Sequence, residues 1–349
     1  MKLWVSWADL QRELSGAPAT MAASWRQLNR APNGESWLRR LDRQARAAND
    51  DGVGVILTVF HGYPAWSSGA RGEDPISQKK PAEQKLPTDL SPDGPWGWFL
   101  AHLSARYQEG IDRNPDGPTA PARGSPGRGG NPEGAWVDVL EICNEPNLFY
   151  WPQEEAAGAV VEMIRSADRI STRFGRQAIL APATSDFPDE DLRGERGVEA
   201  IGWRRFTQEV LDRLSDFAPS VEFFWSHHNF GDIARFVEPS RAARVARMIE
   251  GASWLRSDRP LWLTEGGYNL HPDQADREAR QRQARLIAQS YRQAMTTPGI
   301  FMWTQHTISD KQGNNFKSGL RDDFVPGVGP GRRRPSWFTW RDLPGSRKP

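Results

Sequence analysis

The chain has 349 residues, enough for one large domain or two small ones, and 38% of them are hydrophobic while 26% are charged. This composition is that of an ordinary globular protein and excludes a disordered or membrane-embedded chain. With 45 basic and 44 acidic residues the formal net charge is +1, which argues against nucleic acid or an anionic surface as the main partner.

The ends and the single cysteine say little about compartment. Cys143 lies in an apolar run, so no intramolecular disulfide can form and a buried thiol is expected. No secretory signal is visible at the start and no membrane-spanning stretch occurs. The compartment therefore stays unassigned, and the cytoplasm is the default expectation. If the start of the chain is truncated, this default no longer applies. Nothing in the sequence indicates the oligomeric state.

Short runs of β-branched and aromatic residues alternate with longer segments of helical period from the first residues onward. This alternation is typical of βα units around a parallel sheet. The predicted strands are residues 3–7, 53–60, 137–143, 178–181, 221–227, 261–264 and 300–304. The predicted helices carry apolar stripes at Val160, Ile164, Ala167 and Ile170, at Phe206, Val210, Leu214 and Phe217, at Ala242, Val245, Ile249 and Ala252, and at Ala284, Ile287, Tyr291 and Ala294.

The alternation runs to the end of the chain, so we predict a single domain over residues 1–349. The fold class it indicates is α/β, a (β/α)8 TIM barrel, but only seven strands are predicted and the chain opens directly on one of them. We therefore expect the first strand of the barrel to be missing from the N-terminus. A Pro-, Gly- and Arg-rich insert is predicted at residues 114–134, and residues 67–95 follow a strand and are expected to wall a cleft.

An apolar strand ends abruptly in polar residues in the run LEICNEPN, residues 140–147. In a barrel this strand end faces the active site, so Glu145 would project into its mouth beside Asn144, a hydrogen-bonding group suited to a sugar hydroxyl. The alternative is a turn that merely opens the next helix.

A second apolar strand closes on a glutamate in the run LWLTEGGY, residues 261–268. Glu265 is followed by two glycines, which let the backbone turn tightly under a ligand. Alone, Glu265 could equally be a helix N-terminal charge or a surface residue. Two carboxylates at the ends of different barrel strands, however, are what glycosidic cleavage requires, and the 16 tryptophans supply flat faces on which sugar rings stack.

These two runs resemble the strand-4 and strand-7 signatures of glycoside hydrolase clan A, with families 5 and 39 the most similar. The resemblance spans nearly the whole chain. Residues 3–7 resemble the second strand of the clan, residues 55–61 the third, residues 226–228 the sixth and residues 301–303 the eighth. It implies a retaining hydrolase for a β-linked glycoside, with Glu145 as general acid/base and Glu265 as nucleophile.

The resemblance also implies roles in binding the carbohydrate substrate. It assigns Asn144 to the sugar 2-hydroxyl, His228 to the subsite beside the nucleophile and Trp303 to a platform under the cleaved sugar. Further sugar contacts are expected from His61, Trp66 and Trp151. The alternatives are that His228 is a satisfied core histidine and that Trp303 fills the core.

Two positions depart from the pattern of the clan. Phe230 stands where a tyrosine usually hydrogen-bonds the nucleophile, so another donor, His227, His228 or Tyr268, would have to replace it, or the activity would be weak. Lys2 stands where an arginine is common near the catalytic centre.

Other chemistries lack their motifs. No phosphate-binding glycine loop, zinc motif or Gly-x-Ser-x-Gly turn occurs, so no cofactor or metal is expected. The sequence therefore predicts a glycoside hydrolase, and the alternative is a non-catalytic or weakly active carbohydrate-binding barrel. Specificity is expected to lie in residues 67–95, 185–197 and 306–334.

Overall fold

The computed structural model describes residues 1–349 except for residues 11–17, 29–36, 61, 69–85, 109–130, 132, 176, 195–196, 237, 271–275, 314–315, 326 and 346–349. The strands are β1 (Lys2–Ser6), β2 (Ile56–Phe60), β3 (Val139–Glu141), β4 (Ala178–Ser185), β5 (Leu192–Gly194), β6 (Gly197–Ala200), β7 (Phe223–His228), β8 (Leu261–Gly266), β9 (Ile300–Gln305), β10 (Ser309–Lys311) and β11 (Arg321–Phe324). The helices are α1 (Trp7–Leu10), α2 (Met21–Leu28), α3 (Trp37–Asp50), α4 (Ala65–Ser68), α5 (Pro95–Arg106), α6 (Gln153–Phe174), α7 (Trp203–Arg213), α8 (Phe230–Arg235), α9 (Arg241–Ile249), α10 (Arg277–Thr296) and α11 (Pro335–Asp342).

The main sheet confirms the predicted fold class. Seven parallel strands lie in the order β1-β2-β3-β4-β7-β8-β9, which is their order along the chain, and helices alternate with them. This is the α/β architecture of a TIM barrel with seven of its eight strands among the described residues. All seven predicted strands are present, with ends that differ by up to four residues.

The chain divides into two compact units, and the first comprises Met1–Ala183 and Glu190–Phe224. It contains the β1-β2-β3-β4 ladder, in which Thr58 lies opposite both Trp4 and Glu141. Strand β4 is buried along its whole length, as expected for a parallel strand covered on both faces. Helix α6 presents Val160 and Ile164 to the core and packs against α5 and α7, which confirms its predicted stripe.

The second unit comprises Thr184–Asp189 and Trp225–Pro349. Its ladder joins β7 to β8 and β8 to β9. Helix α10 packs against β9, α8 and α11, and it buries Ala284, Ile287 and Ala294 of its predicted stripe. Tyr291 of that stripe is instead partly exposed. The prediction of a single catalytic domain stays a prediction.

Two small two-stranded sheets, β5-β6 and β10-β11, were not predicted. Their strands are three or four residues long and mostly polar or charged, so they lack the apolar alternation that reveals a strand. Most of the predicted insert at residues 114–134 and most of the predicted cleft wall at residues 67–95 lie outside the described residues.

A buried ion pair joins α3 to α5 in the first unit. Arg106 donates from Nε and Nη2 to the two oxygens of Asp42, at 3.0 and 2.5 Å, and the Tyr107 hydroxyl donates to Oδ1 at 2.9 Å. Asp42 is fully buried and Arg106 is 4% exposed. Burial raises the pKa of Asp42, and Arg106 and Tyr107 oppose this only in part. The pair therefore depends on having both partners in place.

Replacing Asp42 by alanine should lower the free energy of unfolding by about 3–5 kcal/mol, because it leaves the Arg106 guanidinium buried without its counter-charge. Urea unfolding followed by circular dichroism measures the loss. Asp50 on the same helix pairs with Arg46 while its side chain is 55% exposed, so Asp50→Ala is the matched control, expected to cost less than about 1 kcal/mol. Equal losses in the two variants would contradict this account.

Candidate active site

The loop that carries Glu145 follows β3 in the first unit and comprises residues 144–151. Glu145 has a φ of 43°, in the left-handed region that non-glycine residues seldom adopt. Its backbone is held on both sides, since its N–H donates to Ala183 O at 3.0 Å and its carbonyl accepts from Leu148 N at 3.1 Å. Such strain is retained where surrounding contacts over-determine it, and it concentrates at functional sites.

Gln153, at the start of α6, ties this loop together. Its Nε2 donates to Leu148 O at 2.6 Å and to Trp151 O at 2.9 Å, and its Oε1 accepts from Ile201 N at 3.1 Å. Asn147 adds a second link, because its Nδ2 donates to Ile201 O at 3.2 Å. These hydrogen bonds hold the backbone of the loop after β3. The loop therefore positions Glu145 in addition to leading into helix α6.

Two polar groups lie beside Glu145. The Tyr150 hydroxyl donates a hydrogen bond to Glu145 Oε2, and Glu145 itself is partly exposed. Asn144 is 2% exposed, and its Oδ1 has no hydrogen-bond partner among the residues that the structure describes. A buried amide oxygen of this kind is costly unless a ligand or water satisfies it. Tyr150 was not singled out from the sequence, where nothing marks a tyrosine five residues after the glutamate.

The predicted sugar-binding residues of this unit differ in accessibility. Trp66 is partly exposed and meets Trp7 edge to face, with ring centroids 5.5 Å apart. Trp151 is 2% exposed, donates from Nε1 to Asn144 O at 3.1 Å and packs against Tyr63. Trp151 thus supports the loop backbone, and its contact with sugar stays a prediction. His61 lies outside the described residues.

Lys2 and Cys143 lie in the interior of the same unit. Lys2 Nζ forms an ion pair with Glu141 Oε2 at 2.6 Å, and Thr58 Oγ1 donates to the same oxygen at 2.7 Å. Cys143 is buried as expected, and burial raises the pKa of its thiol, so it is a poor nucleophile.

Glu265 lies near the end of β8 in the second unit and is 3% exposed. The strand ladders are irregular there, with register shifts between His227 and His228 and between Leu263 and Gly266. Irregular pairing of this kind redirects side chains and is frequent beside active sites.

Two imidazoles face the Glu265 carboxylate. His228 Nδ1 lies 3.6 Å from Glu265 Oε2, and His306 Nε2 lies 3.8 Å from the same oxygen. The structure thus brings the predicted residue His228 next to Glu265. His306 was predicted only as the first residue of a segment expected to determine specificity, although its place directly after β9 was a signal that it could reach the site.

Trp303 and Asn229 support the strand end that carries Glu265. Trp303 is 6% exposed, and its Nε1 donates to Asn229 Oδ1 at 3.0 Å, while Asn229 N donates to Glu265 O at 3.0 Å. A Cβ on Gly266 would lie 2.5 Å from Trp303 Nε1, so this close approach requires glycine. The Trp303 ring contacts Trp340 of α11, and its role as a sugar platform stays a prediction.

The described residues contain neither a metal-binding cluster nor a membrane-spanning helix. Across the described part of the chain, no group of three or more His, Cys, Asp or Glu side chains is arranged to hold a metal ion. No helix within that part is both long enough and apolar enough to cross a membrane.

The chain has the fold of known glycosidases. No family model matches the sequence, and no curated protein matches it either. Among solved structures, it is similar to a glucosidase from Croceicoccus marinus, with a TM-score of 0.56, 15% identity and 92% of this chain covered. It is also similar to a β-glycosidase from the hyperthermophile Thermosphaera aggregans, with a TM-score of 0.51, 12% identity, 97% of this chain and 80% of that one covered. The chain spans 56% of the length of the Croceicoccus marinus glucosidase.

A buried acidic cluster follows β4 in the second unit. Asp186 accepts hydrogen bonds from Gly231 N and Asp232 N, both at 2.8 Å, and Asp232 accepts from Arg241 N at 2.8 Å. Arg241 donates to Asp189 through two bonds of 2.7 and 2.6 Å, and its Nη1 lies 3.6 Å from Asp232 Oδ1. Burial, and then the nearby Asp232 charge, raise the pKa of Asp186 to about 7.

This cluster should make stability fall as pH rises. The pKa of Asp186 is raised from 3.8 to about 7 on folding, so between these values the folded state holds a proton that the unfolded state has released. The free energy of unfolding should therefore decrease with rising pH in that window, by up to about 1.4 kcal/mol per pH unit from this group. Chemical denaturation from pH 4 to pH 8 measures the slope. Asp186→Asn should flatten it, and an unchanged slope in the variant would contradict the assignment.

Proposed function

We propose that the chain is a retaining glycoside hydrolase that cleaves a β-linked glycoside or oligosaccharide. Glu265 is the nucleophile and Glu145 the general acid/base. The observation that carries this proposal is the setting of Glu265, a nearly buried carboxylate at a strand end with imidazole nitrogens at 3.6 and 3.8 Å. A carboxylate is costly to bury, and its presence in such surroundings is a mark of function.

The reaction proceeds by two displacements. In the first, a Glu265 oxygen bonds to the anomeric carbon while the bond to the leaving oxygen breaks, and the Glu145 carboxyl group gives its proton to that oxygen. In the second, Glu145 removes a proton from water, and the water oxygen displaces Glu265 from the anomeric carbon. The mechanism requires the two carboxyl groups to be roughly 5–5.5 Å apart in the working enzyme.

The two glutamates have the different surroundings that a division of roles requires. Glu145 is partly exposed and accepts a hydrogen bond from the Tyr150 hydroxyl, which orients it while leaving it accessible to a leaving group and to water. Glu265 is nearly buried and faces imidazoles that can stabilise its charge and hold its direction of attack.

The substrate we propose is a carbohydrate, with no cofactor, metal, nucleic acid or membrane partner. Asn144 supports this, because its buried Oδ1 lacks a partner among the described residues and could accept a sugar hydroxyl. Trp66 offers a partly exposed indole face. The glucosidase and β-glycosidase named for the similar structures support the same substrate class. We further propose that His228 and Trp303 contact the sugar, as the resemblance to the clan implies.

A second candidate is a carbohydrate-binding barrel without efficient catalysis. Phe230 favours it, because this side chain cannot give the nucleophile the hydrogen bond that a tyrosine would. Its ring instead packs against His306 and Phe316, with centroids 5.4 and 5.2 Å apart. Such a protein would bind an oligosaccharide and release no reducing sugar.

Hydrolysis of aryl β-glycosides with good and poor leaving groups distinguishes the two glutamates. Glu265→Ala should lower kcat by at least about 10³-fold on every substrate, because no covalent intermediate can form. Glu145→Ala should slow substrates with poor leaving groups much more than activated ones, because a good leaving group needs little protonation.

Exposed glutamates supply the controls for this experiment. Glu154 lies on the first turn of α6 and Glu278 on the first turn of α10, and both are exposed, so their alanine variants should keep the full rate. Full activity in Glu265→Ala would contradict the proposed mechanism. Binding of oligosaccharides without turnover in the unmodified protein would support the second candidate.

A further inference from the structure

His306 is held by contacts on both ring nitrogens and on its backbone. Its Nδ1 lies 2.7 Å from Ser318 Oγ, and its Nε2 lies 3.8 Å from Glu265 Oε2. Its backbone N–H donates to Gly266 O at 2.8 Å, which ties the start of the loop after β9 to the end of β8. The side chain is 18% exposed, so the ring lies at the boundary between protein and solvent.

Two phenylalanines fix the plane of the imidazole. Phe230 meets His306 edge to face with ring centroids 5.4 Å apart, and Phe316 does so at 5.6 Å. The two phenylalanines also contact each other, with centroids 5.2 Å apart. This three-ring cluster limits rotation of the imidazole and keeps Nε2 directed toward Glu265.

The carboxylate that faces Nε2 indicates which nitrogen of the neutral His306 ring carries the proton. An ionised Glu265 can only accept, so a hydrogen bond to it needs the proton on Nε2, which leaves Nδ1 to accept from the Ser318 hydroxyl. Ser318 is itself fully buried, and Gln305 Nε2 donates to its carbonyl at 2.8 Å. Ser318 therefore holds the imidazole from the side opposite Glu265, as outer hydrogen bonds commonly do for functional side chains.

We propose that His306 is the positioning residue of the nucleophile: Ser318 holds its Nδ1, and its Nε2 proton orients Glu265 in the role that Phe230 cannot fill. The kinetic consequence rests on the proposed function. The separation of 3.8 Å is longer than a hydrogen bond, and a movement of about 1 Å when substrate binds closes it.

Two charged residues close to His306 along the chain have ion-pair partners of their own. Lys317 donates to Asp323 at 2.7 Å, and Asp310 is bound by Arg334 at 2.6 Å. His228, on β7, is fully buried, and its Nδ1 lies 3.6 Å from the same Glu265 oxygen. It is therefore the second imidazole that faces Glu265.

Kinetics on activated aryl β-glycosides test the role of His306. His306→Leu should lower kcat by at least about tenfold with little change in KM, since Glu265 loses its orientation and not its substrate. His306→Gln keeps an N–H donor and should recover most of that loss. Ser318→Ala should give a smaller loss than His306→Leu. Ile308→Ala, two residues along the same loop and 59% exposed, is the control and should match the parent.

A second readout needs no catalysis. In nuclear magnetic resonance titrations of the full chain, the pKa of the His306 imidazole should fall by at least about half a pH unit in Glu265→Gln, because the variant removes the charge that favours imidazolium. The resonance is identified by its loss in His306→Gln, and Glu278→Gln serves as the control that should change nothing.

The outcomes separate the two proposals. If the unmodified protein hydrolyses glycosides and His306→Leu keeps kcat within twofold, or if the titration of His306 is unchanged in Glu265→Gln, the positioning role is overturned and the proposed function stands. If the unmodified protein hydrolyses no glycoside but His306 titrates as expected, the pairing with Glu265 stands and the proposed function fails.

Discussion

Parallel strand pairing is the constraint on which the rest of this molecule depends. In a parallel sheet every apolar run ends at the carboxyl edge, so the first polar residues after each run are carried there regardless of the loops between them. Asn144 and Glu145 follow β3 in this way, Glu265 lies near the end of β8, and His306 follows β9. The apolar strands thus stabilise the core by burying their side chains. The ends of the same strands set the positions of the polar side chains that follow.

Polar contacts beyond the strand ends then set the fine geometry. Gln153 braces the loop of Glu145 with hydrogen bonds in the first unit, and Ser318 holds His306 in the second. Both are buried polar side chains that form hydrogen bonds inside the protein. Buried polar groups make a structure more rigid when their hydrogen bonds are satisfied in this way. The left-handed backbone of Glu145 is sustained by the same bracing.

Sequence patterns predicted the strands and the polar residues at their ends. They did not predict the contacts that depend on tertiary packing. All seven main strands were predicted, and so were the positions of Glu145 and Glu265 at strand ends, because apolar runs that end in polar residues are visible in the sequence. The hydrogen bond from Tyr150 to Glu145 and the approach of His306 to Glu265 were not, since each depends on how a polar loop folds back. Trp151 and Trp303 show the same limit, because the sequence does not indicate that their indole N–H groups donate to Asn144 O and to Asn229 Oδ1.

The most direct test of this account is mass spectrometry of the intact protein after incubation with a panel of activated 2-fluoro glycosides, followed by peptide mapping. The account predicts a covalent sugar adduct on Glu265, which would establish retention and identify the glycone at the same time. An adduct on a different residue, or none with any sugar in protein shown to be folded and to bind oligosaccharides, would contradict it.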